Sequence, residues 1–244
     1  MQRLVFYKYF CSAISRPIGR PNTSSVLVSP QFVNHFTRMG IKTGVVNEQQ
    51  KASPSVGMNM TISALKKQFP KVKTIDTNTL AQWIDEDKGG ISFSNAKDGK
   101  DLEQVKQSRN LVILDVRLEE EAAVSKIPYS TRVDPDEKDM KKLKEIIEEK
   151  SLSKGQDNDP VSVVMYCAVG YRASNLVSRF QQSLQKEGNQ DSMNVYNLEG
   201  SIFKWANENR SLVNLSGEPT GFVHPYSTMF GKLYLDSSRT KFTP

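Results

Sequence analysis

Cys167 opens the stretch of this 244-residue chain whose residue types most invite chemistry, Cys167-Ala168-Val169-Gly170-Tyr171-Arg172. An apolar run, Val161 to Tyr166, leads into it, and a helix-patterned segment from Arg172 to about Gly188 leads out. At such a strand-to-helix turn, backbone N–H groups of the helix start point at the sulfur and favour its thiolate. Gly170 permits a backbone conformation that a larger residue resists. Arg172 carries a permanent charge that can pair with an anionic substrate or intermediate. The stretch therefore reads as an anion nest around one nucleophile, with Ala168, Val169, Gly170 and Tyr171 forming its wall. Sequence supplies no histidine base near it, so activation falls to the cradle. The plainer reading is a small buried hydrophobe, the usual lot of a cysteine. A second suspicious strand end carries Asp115 and Arg117, read either as groups bordering the same pocket or as a structural ion pair.

The elements that must hold these residues alternate between strand and helix. Val72 to Asp76 reads as a short strand, and Thr77 or Asn78 caps a helix bearing Leu80, Trp83 and Ile84. A polar insert, Lys88 to Arg109, reads as a surface loop. Leu111 to Arg117 is an apolar strand ending in charges, its run of the kind buried on both faces in a parallel sheet. A helical stretch from Leu118 to Ser125 and a strand within Tyr129 to Val133 follow. Asp134-Pro135-Asp136-Glu137 reads as the start of a helix with Met140, Leu143, Ile146 and Ile147 on its apolar face. Ser151 to Pro160 is a polar loop. Beyond the cysteine turn, Leu176, Val177, Phe180 and Leu184 make a buried helical stripe, Asn194 to Leu198 a last strand, and Gly200 opens a final helix with Ile202, Phe203 and Trp205. The expected class is α/β, a mainly parallel five-stranded sheet flanked by helices on both faces.

Charge is unevenly placed. The net charge is +6, from 33 Lys+Arg against 27 Asp+Glu. Six basic residues, Arg3, Lys8, Arg16, Arg20, Arg38 and Lys42, precede the first acid, Glu48, which leaves 27 basic residues matched by 27 acids. A neutral body argues against a nucleic-acid partner. Residues 1–46, basic and free of acids, read as a mitochondrial targeting leader with the matrix as destination, a plastid or cytoplasmic location being the alternatives. Residues 47–71 read as a linker, 72–216 as the domain and 217–244 as an extended tail. No apolar stretch approaches the roughly 18–20 residues that cross a bilayer. The only other cysteine is Cys11, in the leader, and the two histidines, His35 and His224, stand apart. Neither a disulfide framework nor a metal centre is expected, and no cofactor is called for. His224-Pro225-Tyr226 reads as a packing or turn feature and is left outside the site.

Three motifs in order, Leu114-Asp115-Val116-Arg117, Tyr166 to Ser174, and Val195 to Trp205, resemble the single-domain rhodaneses over about residues 72–215. The resemblance implies a sulfurtransferase that moves sulfane sulfur from a thiosulfate- or persulfide-type donor to a thiophilic acceptor through a persulfide on Cys167. It implies that the Ala168–Arg172 backbone holds the negative charge, with Asp115 and Arg117 supporting or bordering the pocket. Partners would be a small anionic sulfur donor and a thiol or cyanide-like acceptor, a sulfur-accepting protein among the candidates. Two departures stand out: Ala168 and Val169 are neutral where thiosulfate-using members often carry basic residues, and Lys126-Ile127-Pro128-Tyr129 replaces the family's His-Ile-Pro-Gly stretch. Two other readings remain: a non-catalytic interaction module of the same fold, and a cysteine phosphatase. The phosphatase loop is one residue longer between cysteine and arginine, wide enough for a tetrahedral phosphate where this one suits a single sulfur.

Overall fold

Two apolar runs form the middle of the sheet. In the computed structural model, which describes residues 54–87, 110–152, 160–189 and 191–244, β2 (Leu111–Asp115) is buried along its length, and β4 (Val161–Tyr166) is buried after its first residue. Strands covered on both faces are what continuous apolar runs predict. They pair in parallel, Leu111 opposite Ser162 through Asp115 opposite Tyr166. On the far side of β4 lies β5 (Met193–Leu198), and beyond it β1 (Thr74–Ile75). On the far side of β2 lies β3 (Thr131–Arg132). The order is β1-β5-β4-β2-β3, every pair parallel.

Alternate strand residues face opposite helical layers. On one face Val112, Leu114, Val163, Met165 and Val195 pack against Leu143 and Ile147 of α4 (Met140–Leu152) and against Leu176, Val177, Phe180 and Leu184 of α5 (Tyr171–Lys186). The other face is met by α2 (Thr77–Asp87) and α6 (Ser201–Asn207), which also pack on each other. There Trp83 meets Tyr196 edge to face, with ring centroids 5.5 Å apart. The short α3 (Glu119–Val124) bridges β2 and β3.

Several local expectations shift. The Asp134 segment does not begin a helix: its carboxylate accepts the Asp136 N–H at 2.8 Å and closes a turn. Asp139 caps α4 instead, accepting the N–H groups of Lys141 and Lys142 at 3.0 and 3.1 Å. A short aspartate side chain satisfies nearby N–H groups in a turn as readily as at a helix start, so either position was open to it. Likewise Asp76, rather than Thr77 or Asn78, caps α2 through the Thr79 N–H at 2.7 Å.

Two larger corrections concern the ends. Most of what read as a linker is the helix α1 (Pro54–Gln68), whose Met58, Thr61 and Leu65 are buried. What read as an extended tail after Gly217 is folded. β6 (Leu212–Val213) and β7 (Pro219–Thr220) form an antiparallel hairpin, and α7 (Thr228–Tyr234) packs on α1. Thr61 donates to the Tyr234 hydroxyl at 3.1 Å, and Asn207 to the Tyr234 carbonyl at 2.6 Å. Val223, Phe230, Tyr234 and Leu235 are buried. Residues 1–46, read from sequence as a leader, the Lys88–Arg109 insert and most of the Ser151–Pro160 loop lie outside the described residues. Among the described residues no helix is long and apolar enough to cross a membrane.

Candidate active site

The cysteine loop is fixed at its root by backbone and at its tip by one left-handed residue. As β4 ends, the Cys167 N–H donates to Ser201 Oγ at 3.1 Å, while the Cys167 and Ala168 carbonyls accept the N–H groups of Ile202 and Phe203, each at 3.1 Å. The start of α6 thus holds the loop from beside it. Gly200 and Ser201 turn the chain there with φ of +67° and +51°. A Cβ on Gly200 would lie 2.6 Å from Cβ of Lys204, so only glycine fits the bend. Gly170 then takes φ +112° and directs its N–H to Cys167 Sγ at 3.2 Å, and its carbonyl accepts the first bond of α5, from Ser174, at 2.9 Å. Cys167 is 1% exposed. Ala168 and Val169 are buried beside it, and the half-buried Tyr171 meets Phe69 edge to face at 5.8 Å.

Beneath the loop, Asp115 and Arg117 are fully buried and form a bidentate pair, Nε to Oδ1 at 2.8 Å and Nη2 to Oδ2 at 2.6 Å. Arg117 also donates to the carbonyls of Ser125 at 2.5 Å and Glu121 at 3.3 Å. The Tyr166 hydroxyl donates to Asp115 Oδ2 at 2.8 Å and accepts the Ile127 N–H at 3.1 Å. Burial works against the Arg117 charge, but Asp115 more than offsets it and holds the guanidinium above its ordinary value. Burial, with the Asp115 charge adding to it, pushes the Tyr166 phenol well up. Of the two roles open to this pair, the geometry fits support: Asp115 accepts from Tyr166 of β4 while Arg117 spends its remaining donors on carbonyls at the end of α3.

Arg172, in the first turn of α5, is already engaged. Its two Nη atoms bind Glu121 of α3 at 2.6 and 2.8 Å, with 12% of the arginine side chain and 1% of the glutamate exposed. Burial disfavours both charges, yet the pairing outweighs it, so Arg172 is held above its ordinary value and Glu121 below the usual carboxylate range. The Cys167 sulfur also acts on the Arg172 charge, which places the two in one electrostatic neighbourhood. On its open side Arg172 meets the ring of Tyr226, 5.1 Å from Cζ to centroid. Tyr226 sits at φ +63°, and its N–H donates to Nδ1 of the buried His224 at 3.1 Å.

The predicted loop residues Cys167 to Arg172 are therefore gathered at the carboxyl end of β4, with Asp115 and Arg117 behind them. Glu121, Ser201, His224 and Tyr226 join them unpredicted. Glu121 is one of three consecutive acids, Glu119 to Glu121, and its partner lies 51 residues away. His224-Pro225-Tyr226, left outside the site, belongs in its surroundings.

A parallel sheet in this order, with a buried cysteine in a tight loop between the central strand and a helix, defines a cysteine-loop α/β domain. Residues 98–208 match the family model described as Rhodanese-like domain. Among solved structures it is similar to a yeast protein tyrosine phosphatase of the Rhodanese family, 17% identical, covering 55% of this chain and 83% of that one at a TM-score of 0.41. It is similar to an As-Sb reductase from Leishmania major, 13% identical, covering 62% and 92% at a TM-score of 0.41. A thiosulfate sulfurtransferase from Pseudomonas aeruginosa is 16% identical, covering 73% of this chain and 26% of that one at a TM-score of 0.41. No sequence among the curated proteins matches the chain.

Proposed function

We propose that the chain is a sulfurtransferase that carries sulfane sulfur as a persulfide on Cys167. The observation that carries this reading is the Gly170 N–H held 3.2 Å from Cys167 Sγ, in a loop with four residues between cysteine and arginine. The thiolate attacks the outer sulfur of a donor. One S–S bond forms at Cys167 as the bond between that sulfur and its donor breaks, and the donor's remainder leaves with the electron pair. The Gly170 donor serves the attacking thiolate at Sγ, and it serves it again when the acceptor takes the outer sulfur and Cys167 leaves as the thiolate. An acceptor thiol then removes the sulfur and restores Cys167. Because the sulfur is buried, donor contact requires a side chain at the loop mouth to move.

Intact-mass spectrometry after incubation with thiosulfate or a small-thiol persulfide tests the reading. The expected result is a gain of one sulfur on the Cys167 peptide, reversed by cyanide or excess thiol. Absence of that adduct with every donor would leave the interaction-module reading standing. Gly170→Ala is expected to slow the gain by up to about hundredfold, the lower end of what removing one such donor costs. Its added Cβ lies 3.3 Å from both Asn197 Nδ2 and Leu65 Cδ1, in a backbone conformation that side chains resist. An alanine variant that loads at the wild-type rate would show that the donor's placement is immaterial.

A further inference from the structure

The cysteine site also bears on which donors can enter, an inference that rests on the sulfurtransferase reading above. Two guanidinium groups approach the loop, and each is matched by one buried carboxylate, Arg172 by Glu121 and Arg117 by Asp115. The four charges sum to zero, and Ala168 and Val169 add none. The Arg172 guanidinium, both of its Nη atoms bound to Glu121, also lies against the ring of Tyr226. That ring is held from two directions. Its backbone is tied to His224, which packs edge-on against Phe242 at 5.4 Å, and its far edge meets Phe230 at 5.3 Å. Besides its burial, the phenol is subject to the charges of Arg172, Glu121 and Cys167, so it belongs to the sulfur's own surroundings.

A dianion such as thiosulfate would have to shed tightly held water to enter here. Both guanidinium groups at the loop are already neutralised, and the Glu121 carboxylate opposes it. A persulfide of a small thiol carries at most one charge on its reacting end and little solvation beyond it. We propose that Tyr226 is a specificity-determining residue that closes Arg172 to dianionic donors, leaving low-charge thiol persulfides as the donor class. The transfer is balanced without a further reactant: the Cys167 thiolate takes the outer sulfur of RS–SH to give Cys167–S–SH, and RS⁻ leaves. Two sulfurs exchange partners and nothing is oxidised or reduced overall.

The test compares the rate of sulfur gain on Cys167 from thiosulfate and from 2-mercaptoethanol persulfide at equal concentration. Each rate is divided by that of free cysteine with the same donor. Wild type should prefer the persulfide by about tenfold. Tyr226→Ala, which uncovers Arg172, should narrow that preference by about tenfold, while Tyr226→Phe keeps the ring and the wild-type ratio. Both rates come from one sample, so a partly unfolded variant lowers them together and leaves the ratio unaffected. Equal wild-type loading by the two donors, an unchanged ratio in Tyr226→Ala, or a shift in Tyr226→Phe as large as in Tyr226→Ala would overturn the proposal while leaving the sulfurtransferase reading intact. Loading of Cys167 by neither donor would overturn both.

Discussion

Cys167→Ser is expected to abolish sulfur gain at this site while leaving the fold in place. The substitution exchanges one atom in a position that is 1% exposed. The bonds that hold the loop, from the Cys167 N–H to Ser201 and from Ile202 and Phe203 to the Cys167 and Ala168 carbonyls, involve backbone atoms at position 167 and survive. The Gly170 N–H, now directed at sulfur, finds an oxygen acceptor instead, so stability should move by only about 1 kcal/mol. Chemistry changes completely, because a hydroxyl without a general base is a poor nucleophile near neutral pH and does not carry sulfane sulfur. The measurement pairs intact mass after donor treatment with a urea unfolding curve. The chain's second cysteine, Cys11, gives the result an internal check: any sulfur left on the variant should map there. Sulfur gain by the variant at the wild-type rate would show that Cys167 is not the carrier. Turnover of an aryl phosphate by wild type that vanishes in Cys167→Ser would replace the sulfurtransferase reading with the phosphatase one.

The sheet was legible because its two central strands are apolar on both faces, a pattern that few other contexts produce. The loop was legible because its chemistry is contiguous in sequence. The α1 helix was not, since its buried residues, Met58, Thr61 and Leu65, are sparse and one of them is polar. Pro54 at its first position was the available signal. In the C-terminal segment the signal was Ser227, whose hydroxyl caps α7 through the Phe230 N–H at 3.3 Å. Phe230 and Tyr234, one helical turn apart, give that helix its buried side.

What sequence could not display is the pairing around Arg172. Glu119, Glu120 and Glu121 are chemically identical in a string of letters. Only the fold turns the third inward, where the chain reverses between β2 and β3, and brings Tyr226 over the same guanidinium from the other end of the domain. Arg172 was read as a free cation awaiting an anionic ligand. In the structure it is the centre of a three-part contact spanning α3, α5 and the C-terminal segment. Its contribution to the site is geometric as much as electrostatic, because it anchors the first turn of the helix that follows the cysteine loop.

Glu121→Ala should therefore be strongly destabilising. It leaves Arg172 largely buried with no carboxylate, and breaking such a pair from one side costs about 3–5 kcal/mol. The Leu118 N–H also loses its acceptor, Glu121 Oε2 at 3.1 Å. The Tyr226 ring remains, but a cation–π contact is worth only about 0.5–2 kcal/mol and does not replace the pair. The pH dependence follows from the direction of the shift. Glu121 is held below the usual carboxylate range in the folded chain, because the Arg172 bonds overcome the desolvation that opposes them. A depressed carboxylate contributes its full stability above the unfolded value of about 4.3 and loses it as pH falls through the folded value. The gap between wild type and Glu121→Ala should thus be full at neutral pH and shrink only in acid below about pH 4. Urea midpoints taken across that range decide the matter. A gap at neutral pH within the roughly 0–1 kcal/mol of an exposed ion pair would mean that Arg172 finds water or another partner, and that the helix start does not depend on Glu121.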